Sequence, residues 1–459
     1  MIIDVNRILD FPEEEVPRLK YLVDEFERHK IANDKKNKYY EGRISLGSVN
    51  LGIALPQGLQ GLEIGCAWGA KCVDVLAGRS MFDGFVGANG EDVAELDDIV
   101  EANNLIGEYQ KGCRDQLKYG CTFATLTNGD DGVKIRYHSP QTASAHWNGE
   151  KGRIDFGFAV IASEHTKDGR WYPTIINYYT DDAIYVLTRD SKKVWKSEKY
   201  AHKMGRPLME AMIWNATSNK PFGRSRIKEP VRRLIDGYVR TVANATIGLE
   251  FATSPQKYLL GVTDEQYDVI VNQKFKQYVG SILASTNNPE TGEKPSFGQL
   301  PQGNIQPHVD MLRMLATQFS AATGLSVTDT GVVNDANPTS SDAILAQSQT
   351  LVCMAEQLNV GNGVALRNIA LMALAIKDGK TMNEVEETTD IVAHFKNPAM
   401  PSVAMTADAA IKIASARPAF ADTDTFLEMI GFDKADIRRI KGQEQKTRGL
   451  QVLDEIGVE

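Results

Sequence analysis

Residues 221–252 read PFGRSRIKEPVRRLIDGYVRTVANATIGLEFA, and this stretch predicts a long amphipathic helix around which the rest of the chain is arranged. From about residue 224, apolar side chains recur along one helical stripe, formed by Ile227, Val231, Leu234, Ile235, Tyr238, Val242, Ala245 and Leu249. A helix from 224 to 252 would be roughly 40 Å long. Pro255 ends it.

A second amphipathic helix is predicted at 306–323, and Gly324 closes it. Its stripe consists of Val309, Leu312, Leu315, Ala316 and Phe319. The segment between the two helices holds a short YLLGV strand, a predicted helix at 263–277 and a loop rich in Asn, Pro, Gly and Glu. Two such helices bracketing a small insertion form an antiparallel pair. The pair leaves part of its surface for neighbours.

Three helices are predicted in the first part of the chain, over 12–40, 67–82 and 93–119. Beyond Gly120 the pattern changes to alternating apolar and polar residues, broken by turn sequences such as Asn-Gly-Asp-Asp-Gly. Residues 120–199 are therefore expected to form an antiparallel β region, which makes the first domain α+β.

The chain after Gly324 is expected to be mostly helical. A polar loop, LSVTDTGVVNDANPTSS, occupies 325–341. A long helical region is predicted from Ser340 to about Lys377, interrupted by NVGNG at 359–363. One strand follows at 390–397, and the last sixty residues are again predicted to be helical.

Composition excludes several classes of protein. The net charge is −9, whereas a protein that grips DNA usually presents a basic patch; a conduit for DNA is not excluded. Five cysteines without a CxxC pair and seven scattered histidines predict neither a disulfide framework nor a metal site. No window approaches ~20 continuous apolar residues, so no membrane span is expected. The acidic N-terminus is too polar for a signal peptide, which predicts that the protein is made and kept in the cytoplasm unless it travels inside a particle.

The strongest enzyme-like motif is GLEIGCAWG at 61–69. An acid beside closely spaced glycines suits the first motif of an S-adenosylmethionine-dependent methyltransferase. The strand that should precede it is missing, however, and a β meander follows instead of alternating strands and helices. A loop leading into a packed helix explains the motif better. Neither a Walker lysine motif nor a GxSxG elbow occurs, so no catalytic residue is predicted.

Basic residues cluster at the start of the first long helix: Arg224, Arg226, Lys228, Arg232, Arg233 and Arg240. They form either a solvated helix face or a contact surface for phosphate or an acidic partner. A second basic run near the C-terminus, from Lys434 to Arg448, has the same two interpretations.

The order of these parts resembles the portal proteins of tailed bacteriophages, in particular the siphophage type. Tyr39-Tyr40-Glu41-Gly42 follows an N-terminal helix, as in many portals, and WGAKCVDVLAGRSMFDGF at 68–85 resembles a portal segment in which a helix holding Val-Asp precedes a Gly-Phe turn. PFGRS at 221–225 resembles the junction before the first stem helix, and ATQFSAATGLS at 316–326 resembles the second stem helix and its exit. The resemblance covers most of the chain.

The resemblance implies an α+β portal fold with an α/β wing, a two-helix stem, a small mixed α/β clip and a helical crown. The expected boundaries are a wing at 1–221, completed by about 340–398, stem helices at 222–252 and 306–323, a clip at 253–305, a tunnel loop at 324–339 and a crown at 399–459.

The family also implies a function and partners. Identical subunits, twelve in the virion, would form a closed ring at one capsid vertex, without catalysis or a cofactor. Double-stranded DNA would pass through it during packaging by the terminase large subunit, be retained, and leave at ejection. A head-tail adaptor, the tail, and the major capsid and scaffold proteins are the other expected partners, with no membrane. Contact of the clip with terminase and adaptor is expected at Glu290, Glu293 and Lys294.

The tunnel loop is expected to face the DNA. Its expected lining residues are Thr328, Asp329, Thr330, Val332, Val333, Asn334, Asp335 and Asn337. The loop contains no Lys or Arg, and a neutral or acidic lining repels phosphate, so DNA would slide without sticking.

Two alternatives remain open at this point. One is the methyltransferase, and the other is a different phage structural protein, such as an adaptor or capsid component. The length of the chain and its paired helices argue against an adaptor, which is usually much smaller.

Overall fold

A computed structural model describes residues 3–45, 63–87, 94–129, 132–165, 171–253, 257–260, 292, 296–299, 304–331, 341–399, 403–421, 423–432, 436–437 and 439–447. The chain divides into two compact units, Met1–Pro398 and Ala399–Glu459.

The helices of the first unit are α1 (Val16–Glu41), α2 (Trp68–Ala77), α3 (Ala94–Asn103), α4 (Leu105–Tyr119), α5 (Glu229–Thr253), α6 (Gln306–Thr323), α7 (Ser341–Asp378) and α8 (Met382–Thr388). Its strands are β1 (Ile8–Leu9), β2 (Arg43–Ser45), β3 (Glu63–Gly65), β4 (Phe82–Gly87), β5 (Cys121–Gly129), β6 (Gly132–His138), β7 (Ala143–Asn148), β8 (Arg153–His165), β9 (Trp171–Tyr179), β10 (Ala183–Arg189), β11 (Trp195–Ala201), β12 (Met209–Ile213), β13 (Lys257–Leu260), β14 (Ser296–Gln299) and β15 (Ile391–Phe395). The second unit holds α9 (Val403–Ala416) and α10 (Asp424–Ile430).

The predicted antiparallel β region is confirmed. Six strands pair in the order β1-β11-β10-β9-β8-β7, and each pairing is antiparallel except that of β1 with β11. Helix α1 covers this sheet with an apolar face of Leu19, Leu22, Val23 and Phe26. The ring of Phe26 lies 5.7 Å from that of Phe158 on β8. The alternation of the strands buries one face of the sheet against the helix.

The larger core surrounds α7 and a second sheet, which has the order β12-β5-β6. Residues 369–375 of α7 are all buried, because the helix packs against β5, β12 and β15. Strand β15 pairs antiparallel with β4. The strand predicted at 390–397 is thus β15. By length and composition alone, Ala346–Asp378 could cross a membrane, but 56% of its most apolar window is buried inside the protein. Packing in the core therefore accounts for its hydropathy.

The predicted interruption of the long helix at 359–363 is wrong, because α7 continues through NVGNG without a break. Asn362 is fully buried, and its side chain exchanges hydrogen bonds with Gln116 at 2.7 and 3.0 Å and donates one to the Tyr109 hydroxyl at 2.9 Å. A satisfied buried amide holds this turn of the helix in place. The polar, glycine-containing stretch NVGNG, which predicted a loop, therefore makes a polar contact inside the core.

Three other predicted boundaries need correction. The stretch 93–119 forms two helices, since Asn104 between them adopts a left-handed backbone with φ of 47°. The helix predicted at 67–82 ends at Ala77, and strand β4 follows. The first long helix starts at Glu229 rather than near 224, with Pro230 in its first turn. The helix predicted at 263–277 lies outside the described residues.

The GLEIGCAWG segment does not form the doubly wound sheet that a methyltransferase needs. Its described residues form the short strand β3, which pairs antiparallel with β2, and then the start of α2. Glu63, which would bind the ligand, is exposed on that strand. The β meander around it is antiparallel, so the motif has a packing role.

Candidate functional site

The helix pair α5 and α6 is the first element of the candidate site. Val231, Ile235, Val239 and Ala243 are buried at intervals of four residues on α5, and they face Leu315, Ala316 and Phe319 on α6. Gly237 lets the helices approach closely, since a Cβ there would lie 3.2 Å from Leu315 Cδ2. The predicted second helix at 306–323 is confirmed, with Gly324 in the left-handed conformation at its end.

Outside this contact, the helix pair also exposes apolar side chains. Met314 is 47% exposed and Leu249 45% exposed, and Val309 and Met311 are similar. These four residues are called the distal apolar surface below. Exposed apolar side chains on paired helices are candidates for an interaction surface.

Trp68 joins the helix pair to the N-terminal part of the unit. Its ring lies 4.6 Å from that of Tyr238 on α5 and 4.8 Å from that of Phe319 on α6. Its indole Nε1–H donates a hydrogen bond of 3.1 Å to the carbonyl oxygen of Thr330. One buried side chain therefore positions both helices and the turn that follows α6. Aromatic packing with a satisfied N–H is a favourable arrangement for a buried tryptophan.

The end of α1 supports the start of α2. At Gly69, a Cβ would collide with the carbonyl oxygen of Tyr39, and at Gly42 it would lie 2.6 Å from that of Cys66. The Tyr39 hydroxyl donates to the Asp236 carboxylate at 2.7 Å, so the same corner also reaches α5. Burial and this hydrogen bond raise the pKa of Tyr39. The segment Tyr39-Tyr40-Glu41-Gly42 thus acts as a rigid corner between α1, α2 and α5.

The described part of the predicted tunnel loop forms a compact turn. Residues Thr328–Thr330 make one turn of 3-10 helix, closed by Gly331 with φ of 79°. The Asp329 carboxylate accepts hydrogen bonds from the backbone N–H and the hydroxyl of Ser326, at 3.0 and 2.7 Å. The start of this loop is therefore anchored, and Asp329 uses part of its carboxylate to hold its own turn. The other predicted lining residues, Val332, Val333, Asn334, Asp335 and Asn337, lie outside the described residues.

The basic residues at 224–233 do not share one face. Arg224 and Lys228 are exposed, whereas Arg226 is only 7% exposed. Arg232 donates to the carbonyl of Ile227 at 2.8 Å, and Arg233 pairs with Glu229 at 2.7 Å. The expectation of a single basic helix face therefore needs correction, because 224–228 precede the helix and Arg226 points inward.

Arg226 instead connects three parts of the chain, namely its own segment before α5, helix α2 and the end of α6. Its Nε–H donates to the carbonyl of Cys72 on α2 at 2.5 Å, and its second nitrogen Nη2 donates to the carbonyl of Thr323 at the end of α6 at 2.6 Å. Its guanidinium lies 5.9 Å from the ring centre of Trp214. Burial lowers its pKa, which the nearby Cys72 thiol partly offsets. Sequence inspection missed this role, since a basic run does not reveal which member turns inward.

The remaining candidate residues offer little chemical reactivity. The clip residues Glu290, Glu293 and Lys294 lie outside the described residues. Cys66, Cys72, Cys113 and Cys121 are buried, and burial raises the pKa of each thiol. Among the described residues, no group of three or more His, Cys, Asp or Glu side chains could hold a metal ion.

Comparison with known proteins gives a family match over most of the chain. The family model of the phage portal proteins of the SPP1 Gp6-like type matches residues 19–449. No curated protein sequence matches the chain.

Solved structures with a distant likeness come from gene transfer agent (GTA) particles. The neck of a native GTA particle, computed with C12 symmetry, shares 11% identity and covers 80% of this chain and 89% of its own, with a TM-score of 0.43. A virion of the native particle shares 12% identity at a TM-score of 0.43, covering 80% and 89%. The neck of the empty particle, computed with C6 symmetry, shares 12% identity at 0.47, covering 79% and 89%. The assignment rests on the family match alone, and by that match the chain belongs to the SPP1 Gp6-like family of phage portal proteins, a structural family.

Proposed function

We propose that copies of this chain form a closed ring at one vertex of a phage capsid, and that double-stranded DNA passes through its channel. The observation that carries this proposal is the distal apolar surface on α5 and α6, because a helix pair that buries Leu315 in its own contact and leaves Met311 and Met314 exposed offers an apolar surface to a neighbouring copy. In a ring each copy covers its neighbour's surface through a heterologous contact that closes on itself. Twelve subunits is the number implied by the family resemblance.

Each expected domain would have its own role in the ring. The wing would comprise 1–221 with about 340–398, and the stem 222–252 and 306–323. The clip at 253–305 would meet the terminase large subunit and later the head-tail adaptor, with Glu290, Glu293 and Lys294 as contact residues. The crown would be 399–459, inside the capsid beside the scaffold and major capsid proteins.

The loop at 324–339 would line the narrowest part of the channel. Its first turn is tied to the wing through Trp68 and Thr330, which supports a fixed starting point for the part of the loop that approaches the DNA. The loop carries Asp329 and Asp335 and no basic residue. A lining of this charge does not trap phosphate, so DNA moves during packaging and ejection.

DNA packaging with a charge-reversed loop tests this proposal. Replacing Asp329 and Asp335 together with lysine is expected to slow packaging and ejection, because two cations per subunit would bind the passing phosphates. Asp329→Asn with Asp335→Asn removes the charge without adding cations, and its amide oxygen can still accept the hydrogen bonds from Ser326. Unchanged packaging and DNA retention in the lysine variant would contradict the proposed lining.

A further inference from the structure

A cleft beside the junction of α5, α6 and α7 has no role in the function proposed above. It has a volume of about 470 Å³, and its polar lining comprises Arg226, Lys228, Asn215, Thr323, Thr350 and Gln357. Apolar residues such as Leu358 and Met354 complete its wall. The cleft therefore combines two cations with neutral hydrogen-bonding groups in a recess between packed elements.

Arg226 is the buried cation of this cleft, and its charge is not neutralised by a carboxylate among the described residues. Its acceptors are two carbonyl oxygens and the Met354 thioether at 3.5 Å. A guanidinium has five N–H donors in a fixed fork, so two of them have no acceptor in the described part of the chain. A buried charge held only by neutral groups is costly, and an anion in the cleft would repay that cost.

Lys228 stands at the rim of the same cleft. It lies two residues beyond Arg226 in the segment before α5, and both residues line the cleft. Lys228 is exposed, whereas Arg226 is buried, so the two cations lie at different depths in the cleft. A point charge at the rim and a planar fork inside it match the two contacts that an oxyanion makes.

We propose that this cleft is a binding site for an oxyanion, a carboxylate or a phosphate group held by Arg226 and Lys228. The occupant is small, because only a free ion or the tip of a single side chain reaches a guanidinium that is 7% exposed. Two sources have this chemistry: inorganic phosphate, or a Glu or Asp side chain of an adjacent copy of the chain. Binding of a side chain from an adjacent copy rests on the proposed ring, whereas binding of inorganic phosphate does not.

Thermal unfolding in inorganic phosphate tests the free-ion source. Against sodium chloride at the same ionic strength, phosphate is expected to raise the unfolding midpoint of the wild type in a saturable way. Lys228→Gln should weaken phosphate binding about tenfold, and Arg226→Lys should weaken it as well because the fork is lost. The matched control is Lys220→Gln, an exposed lysine outside the cleft with the same change of charge.

Salt-induced dissociation of the assembled ring tests the second source. If a neighbour's carboxylate fills the cleft, phosphate will have no effect, but Lys228→Gln and Arg226→Lys rings will dissociate at lower salt than wild-type and Lys220→Gln rings. Light scattering on each sample reports separately whether the chain forms a ring at all, so failure of the ring is distinguished from failure of the site. If Lys228→Gln matches Lys220→Gln in both experiments, the oxyanion site is overturned, even where Arg226→Lys does not fold.

Discussion

The indole N–H of Trp68 donates a 3.1 Å hydrogen bond to the carbonyl oxygen of Thr330, 262 residues further along the chain. The same ring packs between Tyr238 and Phe319. The turn at Thr328–Thr330 is thereby attached to α5 and α6 through a single side chain at the start of α2. We regard this contact as the link between the body of the subunit and its proposed DNA-facing loop.

Trp68→Phe should separate the packing of this residue from its hydrogen bond. The phenyl ring keeps part of the stacking but leaves the Thr330 carbonyl without its donor, so we expect a loss of about 1–2 kcal/mol in the free energy of unfolding. Trp68→Ala should lose about 3–5 kcal/mol because it also leaves a cavity. Denaturant unfolding measures both. Trp171→Ala, at a residue that is 70% exposed, is the control and should change little; equal losses at both tryptophans would refute the role of Trp68.

Two glycines within helices should respond to alanine with opposite signs. Gly69→Ala places a methyl group against the Tyr39 carbonyl and is expected to cost about 1–3 kcal/mol. Gly361→Ala meets no atom within 4 Å, so the helix gains about 0.5–1 kcal/mol from the better helix former. Denaturant unfolding of the two variants checks the pair. A destabilising Gly361→Ala would mean that α7 is not a continuous helix at NVGNG.

The partly buried carboxyl of Asp115 should make stability depend on pH. Burial raises its pKa to about 6, an effect that Lys118 partly offsets. Because the folded state holds this proton more tightly than the unfolded state, ionisation costs stability as pH rises from about 4 to about 6, and the full cost applies above that range. Asp115→Asn removes the cost.

Asp115→Asn should therefore be more stable than the wild type at pH 8, by about 1–3 kcal/mol, and equal to it near pH 3.5. Unfolding titrations across this range measure the difference. The exposed Asp24→Asn makes the same change of charge and should show no such trend. A difference between Asp115→Asn and the wild type that does not vary with pH would exclude the titration of this group.

The distal apolar surface should govern assembly. Met314→Glu places a charge on a surface that a neighbouring copy would cover, so ring formation should require at least about tenfold more protein. Analytical ultracentrifugation over a concentration series measures this. Ile31→Glu changes an even more exposed apolar residue, 80% accessible on α1, and should leave assembly unaffected. Loss of assembly only in Ile31→Glu would place the subunit contact elsewhere.

The regular elements could be predicted from sequence because their signals are local. The period of α6 and its closing Gly324, the alternation from Cys121 to Ala201 and the strand at β15 all follow from spacing and turn residues. The end of α2 at Ala77 and the break at Asn104 were missed, since tertiary contacts decide where a helical pattern stops.

The junction at the candidate site could not be predicted, because each part of it depends on distant residues. The burial of Arg226 depends on the carbonyl groups of Cys72 and Thr323. The continuity of α7 depends on Gln116 and Tyr109 receiving Asn362. A polar or glycine-rich stretch has the same appearance in a sequence whether it is a solvated loop or a satisfied contact in a core.

We propose that this chain forms a closed ring with the loop at 324–339 nearest the axis. Cryo-electron microscopy of the purified full-length protein tests it most directly. We expect a ring with a continuous central channel, in which α5 and α6 of adjacent copies contact through the distal apolar surface and the turn at Thr328–Thr330 faces the channel. A monomer at high concentration, or a ring that carries this turn on its outer surface, would contradict it.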